Sequence, residues 1–246
     1  MLITMVKSGF KTGLVSALVI GGGILAGCSD DPASGNDQAT VSMQAELATA
    51  KINQIISKDR ATSLAGAEVD SMKISRVRLL VSEVKLHRDN EDTVAGDKNV
   101  KVGPMIVTVD SAGAQVFAVG TVPSGNYDKV KFEFHRFSAS EVAGYLGDPN
   151  FADFVTNDRW TVIIDGVVYV NGVETPFTYR SDMTANLSLK FDALLSMGAG
   201  TTVVIVVQVD PIAIFKDGGK VLDPRDGSNE STIDNAIKSA IKALKR

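Results

Sequence analysis

The strongest constraint on this chain is a period of two that recurs between Ser71 and Val209. Val130, Phe132 and Phe134 alternate with Lys129, Lys131, Glu133 and His135. Successive side chains of an extended strand point to opposite faces, so the pattern dictates a strand with one face buried and one in water. Ile74, Val77, Leu79, Val81, Val84 and Leu86 mark a longer extended segment, bent or bulged near Val81–Val84. Val102–Val109 and Gln115–Val119 read as short strands bounded by glycine and proline, and Pro123-Ser124-Gly125-Asn126 as a turn. Trp160–Ile164 and Val167–Val170 flank Asp165-Gly166, which predicts a two-residue hairpin turn; Asn171-Gly172 repeats that signal before Phe177 and Tyr179. Ala185–Phe191 and Thr201–Val209 add two strands, and the second has so few polar residues that it belongs in the middle of a sheet. Short strands separated by turns in this way predict a mainly β, antiparallel β-sandwich over residues 71–211.

The segments around that body follow other patterns. In residues 40–70, Val41, Met43, Ala45 and Leu47 alternate as in a strand, while Val41, Ala45, Ala48, Ile52, Ile55 and Ile56 also fit a helical face. A strand followed by a helix satisfies both, with Asp59–Asp70 as a loop. Ser138–Arg159 interrupts the strands and predicts a loop with a helical turn, Phe151 and Phe154 packing inward. Residues 212–246 predict a loop and a C-terminal α-helix that packs on the domain. Ser231 and Asp234 resemble a capping box, and Ile233, Ile237, Ile241 and Leu244 form one apolar face. Lys238, Lys242, Lys245 and Arg246 crowd the end where the helix dipole favours cations.

The first 27 residues have a different purpose. Lys7 and Lys11 are followed by the uncharged, mostly apolar Gly13–Leu25 and then by Leu25-Ala26-Gly27-Cys28. A charged start, a short apolar run and small residues before a cut site make an export signal, and the run is shorter than the roughly 20 residues of a spanning helix. Leu25-Ala26-Gly27-Cys28 resembles the lipobox of bacterial lipoproteins. That resemblance implies cleavage before Cys28, lipidation of its thiol and a membrane partner held through the lipid. Cys28 is the only cysteine in the chain, so no intramolecular disulfide can form. Residues 28–39 read as an acidic flexible tether. Ser29, rather than aspartate, follows the lipidated position, which leaves passage to the outer membrane open. Cys28-Ser29-Asp30-Asp31 also fits an acidic tag for surface export, or an ordinary solvated linker. The expected place is thus the bacterial cell envelope, on an outer membrane, facing the periplasm or the surface. Loss of the two signal lysines takes the formal charge from −4 to −6, an acidity that argues against nucleic acid as a partner.

Val77–His87, the run Val122-Pro-Ser-Gly-Asn-Tyr-Asp-Lys-Val-Lys-Phe132 and the Asp165-Gly166 hairpin together resemble a bacterial lipoprotein domain family, domain of unknown function 4382. The likeness covers roughly residues 72–211. It implies a Greek-key β-sandwich of immunoglobulin/transthyretin-like form and carries over no catalytic residue.

Candidate sites are few. His87-Arg88 and His135-Arg136 both close strands, but two histidines without a third ligand do not make a zinc site, so solvated strand ends are expected. Asp223, Asp226, Asn229 and Glu230, with Ser228 and Gly227, could supply oxygens to calcium, though their spacing departs from the regular calcium loop and also suits a turn before a helix. The loop holding Asp89, Asn90, Glu91, Asp92 and Asp97 is a weaker case of the same kind. Trp160, Tyr169 and Tyr179 could stack on a sugar if exposed on one face; core packing is the competing use. No nucleophile elbow, P-loop or dinucleotide fingerprint occurs, and no cofactor is expected. The sequence thus points to a non-enzymatic envelope lipoprotein, structural or binding a glycan or protein. The alternative is an envelope hydrolase with its site in residues 138–159.

Overall fold

The computed structural model describes residues 38–48, 55–57, 69–89, 99–110 and 114–245, all within the unit Ser34–Arg246. The signal, Cys28, most of the tether, most of the acidic loop 89–97 and most of the loop before Asp70 lie outside the described residues. Alternating burial along the chain produces a mainly β structure in stacked sheets. The first sheet runs in the order β15 (Ile241–Lys245), β12 (Thr202–Val209), β1 (Gln38–Leu47) and β7 (Gln115–Pro123). The second has β10 (Val173–Ser181), β9 (Val162–Val170), β3 (Ser71–Val81) and β2 (Ile55–Ser57), with β6 (Met105–Val109) also on β3. The third has β11 (Ala185–Met197), β8 (Gly125–Phe134), β4 (Glu83–Arg88) and β5 (Asn99–Val102). The small pair β13 (Lys216–Asp217) and β14 (Lys220–Val221) stands apart. Among the described residues every pairing is antiparallel except β1 with β12, which is parallel. The apolar β12 lies between two neighbours, as its sequence predicts.

One apolar core joins the three large sheets through residues such as Val41, Ile74, Phe132, Ile164 and Ile205, each nearly or fully buried. The long segment 71–88 bends at Ser82: β3 belongs to the second sheet and β4 to the third. The chain changes sheets again between β5 and β6 at Gly103-Pro104, and between β7 and β8 at Ser124. The 138–159 segment contains α1 (Ala139–Tyr145), capped by reciprocal Ser138 and Glu141 bonds, and a 3-10 turn at Pro149–Phe151. Phe137, Phe151, Phe154 and Val155 pack with Leu80 and Ile163 in a second core on the outer face of β3 and β9. Phe151 and Phe154 point inward, as expected.

Local expectations change in three places. Ile55 and Ile56, assigned to a helical face, lie in the strand β2, where the edge of β3 gives their main chain partners. Asp165-Gly166 is no turn; it lies inside β9. The hairpin to β10 is made at Asn171-Gly172, whose φ values of 50° and 76° are the left-handed pair a two-residue turn requires. Gly166 instead sits opposite a bulge at Ser75 in β3, where an added Cβ would lie 2.5 Å from the Lys73 carbonyl and 2.9 Å from the Phe177 ring. The expected C-terminal helix is present and packs on the core, but it is shorter than its apolar spacing implies and shares residues 212–246 with other elements. Asp210 caps α2 (Pro211–Ile214) through the amides of Ile212 and Ala213, β13 and β14 follow, and α3 is limited to Glu230–Ala240. Ile241 and Leu244 belong to β15, paired with Val209 and Val206. The open edge of β12 offers these residues main-chain partners that a longer helix would forgo. Ser231 does not cap α3, since Asn229 holds that position without a side-chain bond.

Ile233 and Ile237 of α3 are fully buried in the main core. Ile237→Asp should therefore lower the urea midpoint, at a cost of at least ~3 kcal/mol from lost apolar burial and an unpaired buried carboxylate. An unchanged midpoint would mean that α3 does not dock. Gly166→Ala should cost about 3 kcal/mol by overpacking against the Lys73 carbonyl, read in the same unfolding assay.

Candidate functional site

The side chains of β7 explain a groove among the described residues. Its register pairs Val122, Gly120 and Ala118 with Ala39, Val41 and Met43 of β1, whose side chains are buried. Directly paired residues share a face, so over Ala118–Val122 β7 turns inward only Val122 and the small Gly120 and Ala118, while Phe117 packs on the core at a bulge. Across from them, β4 and β5 present Val84, Leu86, Val100 and Val102 from paired positions. The missing side-chain volume leaves a small groove lined by these residues, Val41, Met43 and the run Ala118–Val122. A Cβ added at Gly120 would meet nothing within 4 Å. None of the lining residues is charged.

A buried cation stands beyond the end of that apolar row. Arg88 continues the inward row of Val84 and Leu86 on β4 and is only 7% exposed. Its guanidinium donates to the Ser124 carbonyl at 3.0 Å and lies 5.8 Å from the centre of the Tyr127 ring, while its Nε has no partner among the described residues. The Tyr127 hydroxyl donates to the Pro123 carbonyl at 2.7 Å. Both bonds grip the corner from β7 to β8 and so hold the groove wall against its floor. Chemically the groove offers apolar contact and a strand edge.

The residues singled out in the sequence are dispersed. His87 is paired with Lys129, and His135 lies six residues further along the β8 direction, roughly 20 Å away at ~3.3 Å per residue. They cannot share a metal. Burial, with help from Lys129 and Lys131, pushes the His87 pKa below its ordinary value. Arg225 takes both carboxylate oxygens of Asp223, at 2.9 and 2.8 Å. Asp226 caps the Ser228 amide, the Asn229 amide group donates to the Asp223 carbonyl, and the Glu230 carbonyl accepts from Tyr179. The loop before α3 is thus a turn that satisfies itself. No group of three or more His, Cys, Asp or Glu converges among the described residues.

The aromatic platform is also absent. Tyr179 pairs with Ile164, so it lies on the opposite face of the sheet from Tyr169, which alternation places with Ile163 and Asp165. Tyr179 is buried against Phe215, Tyr169 donates to Glu174, and Trp160 packs on the second core. In the 138–159 segment, Phe137, Tyr145 and Phe151 stack together, while Asp153 pairs with Arg78. The Arg78 bond holds the Asp153 carboxyl below its usual range.

The local sequence pattern ends β7 at Val119, with glycine as its boundary, and leaves Ala118 and Gly120 unmarked. The available signal was a glycine inside an otherwise valine-rich strand, a pattern that often marks the close approach of another backbone or ligand.

Tyr179 donates to the Asp234 carboxylate at 2.7 Å, and burial followed by that bond pushes its pKa well above the usual phenol value. Tyr179→Phe should cost about 1–3 kcal/mol in urea unfolding. A raised folded value means that the phenol contributes fully below its ordinary pKa near 10, and that this contribution is lost as pH rises toward the folded value. Wild-type stability should therefore fall more steeply than that of Tyr179→Phe above about pH 10.

No family model, curated protein or solved structure matches this chain.

Proposed function

We propose that this protein is a lipid-anchored binding module of the bacterial cell envelope, tethered through Cys28 and acting without catalysis. The observation that carries the reading is Leu25-Ala26-Gly27-Cys28 placed directly after a lysine-bearing start and a short apolar run. Two or more acyl chains give a stable anchor where one binds only reversibly, so the folded body needs no membrane segment of its own. The acidic stretch after Cys28 gives that body reach from the bilayer, and Ser29 suits an outer-membrane destination. On the body, the apolar groove beside β7 supports binding as the task, with a protein in the envelope as partner.

Mass spectrometry of the full chain expressed in a bacterium tests the anchor. The wild type should begin at Cys28 and carry a diacylglyceryl thioether there. Cys28→Ser should remain uncleaved or leave the membrane fraction. A Cys28→Ser protein still cut at the same bond and still bearing lipid would overturn the reading.

A further inference from the structure

We infer that the groove beside β7 receives an extended, uncharged peptide strand from a partner protein, added to the free edge of the first sheet. The proposal deepens the binding-module reading and rests on it.

The shape of the lining carries the argument. Consecutive residues of a strand point their side chains to opposite faces, so they can bound one cavity together only through main-chain atoms. The run Ala118–Val122 lines the groove consecutively, whereas β4 and β5 contribute only alternate residues. The wall is therefore main chain and the floor is side chain. Among the described residues β7 is hydrogen-bonded as a strand only to β1; β6 lies near it, and beyond Phe117 its other edge has no paired strand. A strand laid ~4.8 Å from β7 would bond to that edge, set every second side chain over Val84 and Val102, and leave the others level with the exposed Val119. An acyl chain would fill the floor but offer no hydrogen-bond partner to the edge's N–H and C=O groups.

Charge and volume choose the occupant. Other edge strands are guarded: β10 has Glu174, Pro176 and Arg180, β11 has Lys190 and Asp192, and β15 has Lys242 and Lys245. Such residues discourage edge pairing. The nine residues of β7 include no charge, and β2 and β6, also uncharged, are only three and five residues long. An uncharged strand suits this edge. A second copy of β7 fits poorly, because its inward residues would again be Ala118 and Gly120 and the space would stay empty. The partner strand must bring valine-sized or larger side chains at alternate positions.

The test uses the full chain in detergent and a fluorescein-labelled peptide of about nine residues, alternating threonine with valine and blocked at both ends, with detergent alone as the blank. Anisotropy should saturate on the wild type. Gly120→Val puts a side chain into the open space and should weaken binding at least about tenfold, with an unchanged or raised urea midpoint. Ala118→Leu fills the same space from the next inward position and replaces it should Gly120→Val prove unstable. A peptide N-methylated at alternate residues should lose binding, since it cannot pair with an edge. Absent saturation on the wild type, equal binding to the filled and open grooves, or equal binding of the N-methylated peptide would each overturn the proposal. So would a monomer–dimer equilibrium in sedimentation that Gly120→Val abolishes, which would assign the edge to a second copy. Peptide binding does not depend on lipid at Cys28, so failure here and failure of the anchor are read separately.

Discussion

The corner where Gly103 meets the Ser82 carbonyl governs the relation between the second and third sheets. A Cβ on Gly103 would stand 2.6 Å from that oxygen, and φ there is 143°. Only glycine allows both the approach and the backbone angle. The chain therefore changes sheets twice at one place, from β3 to β4 and from β5 to β6. Ser82 adds main-chain and hydroxyl bonds to the Glu133 carbonyl, both at 2.8 Å, tying the corner to β8. The floor of the groove, built on β4 and β5, leads directly into this corner.

The opposite wall depends on a different economy of side chains. Most inward positions of the sandwich hold valine, isoleucine, leucine or phenylalanine, and packed interiors leave few voids. The inward Ala118 and Gly120 depart from that rule at an edge, where no further strand supplies the missing volume. Edge strands of natural proteins are usually blunted by charge, proline or brevity. The β7 edge has none of these between Gln115 and Val122. A groove, an open edge and a central glycine coincide there, and each makes sense if another chain completes the sheet.

The 138–159 segment shows how a loop that interrupts a regular pattern can be structural. Leu80 and Ile163 point away from the main core, and an outer apolar face needs a cover. Phe137, Phe151 and Phe154 supply it. At its border Arg78 pairs with Asp153 and Asp165, Arg76 bonds to Asp165, and Thr178 donates to the same carboxylate. These groups hold one another on the outer face of the second sheet, where they frame the cover.

The sequence by itself determined most of the strands, because they are written in local patterns. Alternation at Val130, Phe132 and Phe134, and the continuous apolar run that makes β12 central, depend only on the period of an extended chain. The lipobox resemblance is likewise a linear motif. Tertiary structure decided what local preference leaves equal. Asp165-Gly166 and Asn171-Gly172 are both good turns, and the bulge at Ser75 with the Phe177 ring claimed the first glycine for packing. Ile233, Ile237, Ile241 and Leu244 fit one helical face, yet the open edge of β12 drew the last two into a strand. Register alone put Tyr169 and Tyr179 on opposite faces, and separated His87 from His135. The groove was the least legible feature: Gly120 ends a strand or sits within one with the same local preference, and only pairing with Val41 turned it inward against an empty space.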